Sequence, residues 1–85
     1  MIVSFSKNFI EQAKKLDANV RLKLYKNIQV FTDNPLHPTL RNHPLKGKYK
    51  LYRSIDISGD VRALYLQKET LVIFDTVGTH SQLYG

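Results

Sequence analysis

The 85-residue chain has no cysteine, which excludes both a disulfide framework and a thiolate metal site. It has only four glycines, and none of them builds a phosphate-cradling loop. A GxSxG nucleophile elbow and a paired-carboxylate motif are missing as well. No apolar run reaches the length of a signal-peptide core or a membrane span, so a soluble cytoplasmic protein with no membrane partner is expected. His37, His43 and His80 show no zinc-ligand spacing, and neither a metal nor a cofactor is expected. Hydrolysis would have to proceed by acid, base and arginine alone. RNA allows that, because its own 2′-hydroxyl can serve as the nucleophile. A chain this short buries a modest core, and residues 1–85 are expected to form one domain.

Acidic residues are also locally absent. Thirteen Lys and Arg against seven Asp and Glu give a net charge of +6. Residues 41–53 (RNHPLKGKYKLYR) carry Arg41, Lys46, Lys48, Lys50 and Arg53 with no acid. Outside this ribbon the chain is close to neutral. A localised polyanion contact is one reading of it; a strand edge studded with lysine against aggregation is the other.

Ile2-Val3-Ser4-Phe5 reads as a short strand, and Ser6 as the N-cap of a helix whose apolar positions are Phe9, Ala13 and Leu16. Asp17-Ala18-Asn19 interrupts the pattern. A second helix follows on the stripe Val20, Leu24, Ile28 and Phe31, and Asn34-Pro35 ends it. The short connection predicts an antiparallel helical hairpin. All three prolines then fall in an irregular surface connection. Beyond it, residues 51–57 alternate with Ile55 and Ile57 on one face and Tyr52, Ser54 and Asp56 on the other. Ser58-Gly59-Asp60 is a turn signal, residues 61–67 return, and Lys68-Glu69 turns into residues 70–77. The expected fold is α+β, with both helices on one sheet face and the other face free for function.

Five positions could do chemistry there. His43 sits at the mouth of the basic ribbon, where a neutral imidazole could take a proton beside phosphate. His37 reads as surface. Asp60 and Arg62, two apart, are expected to emerge together, as an orienting carboxylate and a phosphate clamp or as an ordinary turn aspartate and surface arginine. Asp56 is expected to share their face. Gly78 is expected to allow a sharp change of direction that swings His80 over the open face, with Ser81-Gln82-Leu83-Tyr84 folding back as a turn.

The stretch HPLKGKYKLYRSIDISGDVRALYLQ, together with VGTHSQLYG, resembles the YafQ branch of the RelE-like toxins, the toxin halves of bacterial type II toxin–antitoxin modules. NPLHPTLRNHPLKG is similar to the connection that branch uses, so the resemblance spans nearly the whole chain. It implies a RelE-like β-α-α-β-β-β fold with a helical hairpin on one face of a mainly antiparallel four-stranded sheet. It also implies cleavage of messenger RNA on the 70S ribosome, leaving a cyclic phosphate and a free 5′-hydroxyl. A cognate antitoxin with an acidic C-terminal segment would cover the basic face. By motif, His43 matches the histidine of HPL and Asp60 the hairpin aspartate. His80 matches the histidine of GTH, the general acid, and Tyr84 the terminal aromatic. Arg62 resembles the arginine with which RelE-like toxins stabilise phosphate, while Lys46, Lys48, Lys50 and Arg53, with Arg41 beside them, would hold RNA. Two positions depart from the pattern: Asp56 stands where the branch often has a second histidine, and Val61 where it has tryptophan. The general base stays open among His43, Asp56 and Asp60. The competing readings are a ParE-like gyrase inhibitor that cuts nothing, and a passive RNA-binding module or degenerate toxin; the His43 and His80 pair favours catalysis over the first.

Overall fold

Ser6 caps the first helix as its position suggests: its Oγ accepts the Phe9 N–H at 3.0 Å. A computed structural model describes residues 1–84. The chain runs through strand β1 (Ile2–Phe5), helix α1 (Lys7–Lys14) and helix α2 (Ala18–Asp33). After a 3₁₀ turn at Pro38–Leu40 come β2 (His43–Pro44), a second 3₁₀ turn at Gly47–Tyr49, β3 (Arg53–Asp56), β4 (Val61–Lys68), β5 (Leu71–Thr79) and α3 (His80–Tyr84). The second helix starts earlier than its apolar stripe predicts. Asp17 caps it, accepting the Asn19 N–H at 3.2 Å, so Ala18 and Asn19 are helical rather than a break.

The five strands form one mixed sheet in the order β1-β5-β4-β3-β2, with β1 parallel to β5 and every other neighbour antiparallel. The fifth strand is an addition to the four expected. His43 and Pro44 pair with Ser54 and Arg53 inside what reads as an irregular connection. Proline fits there because an edge strand can leave one side of its backbone unpaired. A longer continuous strand from Leu51 does not form: Leu51 is exposed, and ladder pairing begins at Arg53.

Phe9, Ala13, Leu24 and Phe31 from the helices bury against Ile55, Val61, Ala63, Tyr65, Val72, Phe74 and Val77 of the sheet. Phe31 meets Tyr65 and Phe74 edge-on, with centroids 4.9 and 5.1 Å away. Both helices thus cover one sheet face. The residues that alternate with this set, Ser54 and Asp56 on β3 and Arg62 and Leu64 on β4, point to the opposite face. Leu64 is fully buried there, which shows that this face is partly covered too.

The cover is α3. Thr79-His80-Ser81-Gln82 forms a capping box: Gln82 Oε1 accepts the Thr79 N–H at 2.8 Å, and Thr79 Oγ1 accepts the Gln82 N–H at 3.2 Å. Residues 81–84 are therefore helical, not a simple turn. Tyr49 O–H donates to the Leu83 carbonyl at 2.8 Å and docks this short helix on the second 3₁₀ turn. Gly78 does not bend the chain. It lies inside β5, and its role is space: a Cβ there would meet Gln82 Oε1 at 2.8 Å. Gly85, the last glycine of the terminal motif, lies outside the described residues.

Candidate active site

Two cross-strand rows build the site. His43, Ser54 and Leu64 stand side by side across β2, β3 and β4; one step along, Asp56, Arg62 and Gly78 do the same across β3, β4 and β5. Because directly paired residues share a face, the register alone gathers His43, Ser54, Asp56 and Arg62. The capping box then sets His80 and Tyr84 above them, their rings 4.7 Å apart. His43, Leu45, Ser54, Arg62, His80 and Tyr84 line one open pocket of about 210 Å³. That is below the roughly 300–1,000 Å³ of pockets that engulf a small ligand, and it suits a segment of backbone better than a whole base.

His43 is held in a defined state. Its Nδ1 lies 2.8 Å from the Arg41 carbonyl, which can only accept, so Nδ1 carries the hydrogen. A neutral His43 then presents Nε2 as a proton acceptor. Arg41 reaches this position through a left-handed backbone, φ 48°, uncommon for a side-chain-bearing residue. From the same residue the guanidinium extends to Asp56, with Nε 3.6 Å from Oδ2.

Arg62 is fixed more firmly. Its Nε pairs with Asp56 Oδ1 at 3.0 Å, and its Nη1 donates to the carbonyls of Ser58, Gly59 and Val61 at 2.9–3.2 Å. Asp56 shares the open face as expected, with its oxygens taken up by two guanidiniums. That arrangement suits an anchor for Arg62. Asp60 is not brought into the pocket. It lies in the turn before β4 with its side chain exposed, and it serves the site through its carbonyl, which accepts the His80 N–H at 3.1 Å. The expectation that Asp60 and Arg62 emerge together fails because only Arg62 belongs to the strand.

Tyr84 is half-buried. Burial pushes its phenol above the usual 10.0, Tyr49 adds to the rise, and Ser54 and Arg62 pull it partly back. Tyr84 therefore keeps its O–H throughout the neutral range. Ser54 is close enough to influence that phenol, yet the geometry of a formed hydrogen bond is not met, and its buried Oγ has no partner among the described residues.

The basic ribbon divides. Lys46, Lys48 and Lys50 are exposed in and beside the second 3₁₀ turn, with Lys48 Nζ 5.2 Å from the Tyr49 ring centroid. Arg53 turns away from the pocket: its Nε donates to Asn42 Oδ1 at 2.8 Å, and Asn42 donates on to Tyr65 Oη at 2.7 Å, a tie between edge and core. His37 is exposed and caps the first 3₁₀ turn, its Nδ1 accepting the Thr39 N–H at 3.1 Å. Lys23 and Lys26 on α2, which no sequence signal marked, join Arg41 and Arg62 around a second groove. Among the described residues no cluster of three or more His, Cys, Asp or Glu could hold a metal, and no helix is long and apolar enough to cross a membrane.

A helical hairpin on one face of a mixed sheet is a RelE/ParE-like fold. The fold matches the YoeB/ParE toxin from Agrobacterium tumefaciens with a TM-score of 0.76 at 19% identity, over 94% of this chain and 99% of that one. The chain belongs to the YafQ family: the family model described as bacterial toxin of type II toxin-antitoxin system, YafQ, matches residues 2–85. It is similar to the mRNA interferase toxin YafQ of Escherichia coli strain K12, 30% identical over 76 residues, 89% of this chain and 82% of that protein. The crystal structure of YafQ from E. coli strain BL21(DE3) superimposes with a TM-score of 0.80 at 27% identity, covering 98% of this chain and 97% of that one. The toxin in the E. coli DinJ-YafQ complex does so at 0.72, with 27% identity and the same coverage.

Proposed function

We propose that this toxin is a ribosome-dependent endoribonuclease that cuts messenger RNA without a metal, halting translation. The observation that carries the reading is the single pocket in which His43 with an available Nε2, the clamped Arg62, His80 and Tyr84 face one another. The relatives named mRNA interferase support the substrate.

In the proposed step, His43 Nε2 takes the proton of the RNA 2′-hydroxyl, and that oxygen attacks the adjacent phosphorus. The P–O5′ bond breaks, and protonated His80 gives its proton to the departing 5′-oxygen. The products are a 2′,3′-cyclic phosphate and a 5′-hydroxyl; His43 ends protonated and His80 neutral. Arg62 reaches the non-bridging oxygens through Nη2, its Nε and Nη1 being held by Asp56 and the turn carbonyls. Tyr84 packs against His80 with the two ring planes tilted by 56°, and its ring lines the pocket. Asp56, already engaged by Arg62 and Arg41, and Asp60, outside the pocket, are weaker candidates for the base than His43. Lys46, Lys48 and Lys50 would meet message and ribosomal backbone by charge. Arg41 would act there with them, whereas Arg53 is already tied to Asn42.

Residues 1–85 would act as one toxin domain in the cytoplasm, where ribosomes are. A cognate antitoxin is the expected partner, as DinJ is for the E. coli relative. We propose that an acidic segment of it covers the basic face. The gyrase-inhibitor alternative has less support, because its mode of action needs no pair of imidazoles. Induced expression with mapping of transcript ends tests the reading. The wild type should give cuts in phase with codons, and His80→Ala should give none while remaining folded. Intact transcripts with stalled replication would overturn it in favour of the gyrase target.

A further inference from the structure

The second groove lies between α2 and the β3–β4 turn and has a volume of about 450 Å³, roughly twice that of the pocket. We propose that it binds the phosphodiester backbone of the same RNA strand whose scissile link sits in the pocket, an inference that rests on the nuclease reading above. Four cations line it: Lys23 and Lys26 from α2, Arg41 from the connection and Arg62 from β4. The one carboxylate on its wall, Asp56, is shared by Arg62 at 3.0 Å and Arg41 at 3.6 Å, and among the described residues neither lysine has an acidic partner. The groove is therefore positively charged beyond what it neutralises itself.

Its geometry is set rather than incidental. Lys23 and Lys26 are three apart on one helix and so share a face. The next residue, Asn27, donates from Nδ2 to the Asp56 carbonyl at 2.8 Å, fastening that face of α2 to the end of β3. Arg62 lines both cavities, so a polyanion passing its guanidinium leaves the pocket directly into the groove. That continuity favours one strand spanning both over a separate acidic peptide. Lys23 and Lys26 escape a charge count along the sequence because they fall in its near-neutral part. The fold, not the order of residues, brings them to the site.

The test uses 70S ribosomes programmed with messages made uncleavable by a 2′-deoxy residue at the scissile position. One message ends just beyond that position, and the other continues. Wild-type toxin should bind the longer message more tightly, with a steeper salt dependence. Lys23→Ala/Lys26→Ala should lose most of that advantage, the salt slope for the longer message falling by about 1.4, since each single-strand phosphate contact contributes about 0.7. Lys23→Arg/Lys26→Arg should retain the advantage. Equal losses on both messages would assign the groove to ribosomal RNA, and a loss confined to antitoxin affinity would assign it to protein; either overturns the proposal, as does an unchanged double variant. A wild type that fails to bind ribosomes removes the ribosome-dependent reading instead, and the same comparison on free oligonucleotides then tests the groove.

Discussion

Replacing Gly78 by alanine should change sign with the residue at position 82. The added Cβ would stand 2.8 Å from Gln82 Oε1, 3.4 Å from Gln82 Cβ and 3.6 Å from Leu83 Cδ2. The last two distances can be accommodated; the first cannot. The simplest relief is rotation of the Gln82 amide, which breaks its 2.8 Å bond to the Thr79 N–H and opens the capping box. A lost cap costs about 1 kcal/mol. Against it, Gly→Ala at a backbone that alanine can adopt stabilises by about 0.4–1 kcal/mol through the unfolded chain. Gly78→Ala should therefore be neutral to destabilising by about 0.6 kcal/mol in the native background. In a Gln82→Ala background the obstacle and the cap are both gone, so the same change should stabilise. Urea denaturation of the four proteins gives the coupling, expected at about 1 kcal/mol. RNA cleavage should fall far more than stability in Gly78→Ala, because His80 and Tyr84 both ride on the displaced turn. Equal effects of the glycine change in both backgrounds would refute the reasoning.

Ser54→Ala removes a buried hydroxyl that lacks a partner, so stability should hold or rise, by up to about 1 kcal/mol. Tyr84 should then titrate higher by ultraviolet absorbance, since Ser54 lowers its pKa; a clear loss of stability would contradict this. Tyr52 has a raised pKa, first from burial and then from its 2.9 Å bond to Asp75, so its contribution is intact below pH 10.0 and lost as pH rises through its folded value. Tyr52→Phe should cost about 1.5–3 kcal/mol at neutral pH and flatten the alkaline limb of the stability curve, without abolishing it because Tyr84 is raised too. Arg62→Lys should leave the protein folded and reduce cleavage about 10²–10³-fold, because an ammonium cannot hold Asp56, the turn carbonyls and a phosphate in one plane.

The local features were legible in the chain: the Ser6 cap, the two apolar helical stripes, the alternation around Ile55, and the glycine turn of the hairpin. The helical hairpin and the meander follow from these by short connections. What escaped depends on contacts between distant segments. The pairing of His43 with Ser54 makes a strand from a proline-bearing loop, and no periodicity marks it. A glycine at position 78 suggests a hinge in the sequence; the approach of Gln82 in the fold shows that it provides clearance. The Thr79-x-x-Gln82 box is present in the sequence, but Ser81 to Tyr84 alone are too few for an independent helix, and it is docking on the second 3₁₀ turn that holds them helical. Of the site residues, His43, Arg62, His80, Tyr84 and Asp56 do converge. Asp60 and Arg53 do not, since the direction of a turn aspartate and of an arginine at the start of β3 is decided by partners far along the chain.

The most direct test of the account is the chemistry of the cut ends. Messenger RNA cleaved on ribosomes by the wild-type toxin should carry a 2′,3′-cyclic phosphate and a 5′-hydroxyl, and a single 2′-deoxy substitution at the scissile nucleotide should abolish the cut. A 5′-phosphate product, or cleavage that survives the 2′-deoxy substitution, would contradict the claim that this pocket of His43, Arg62 and His80 works through the RNA's own hydroxyl.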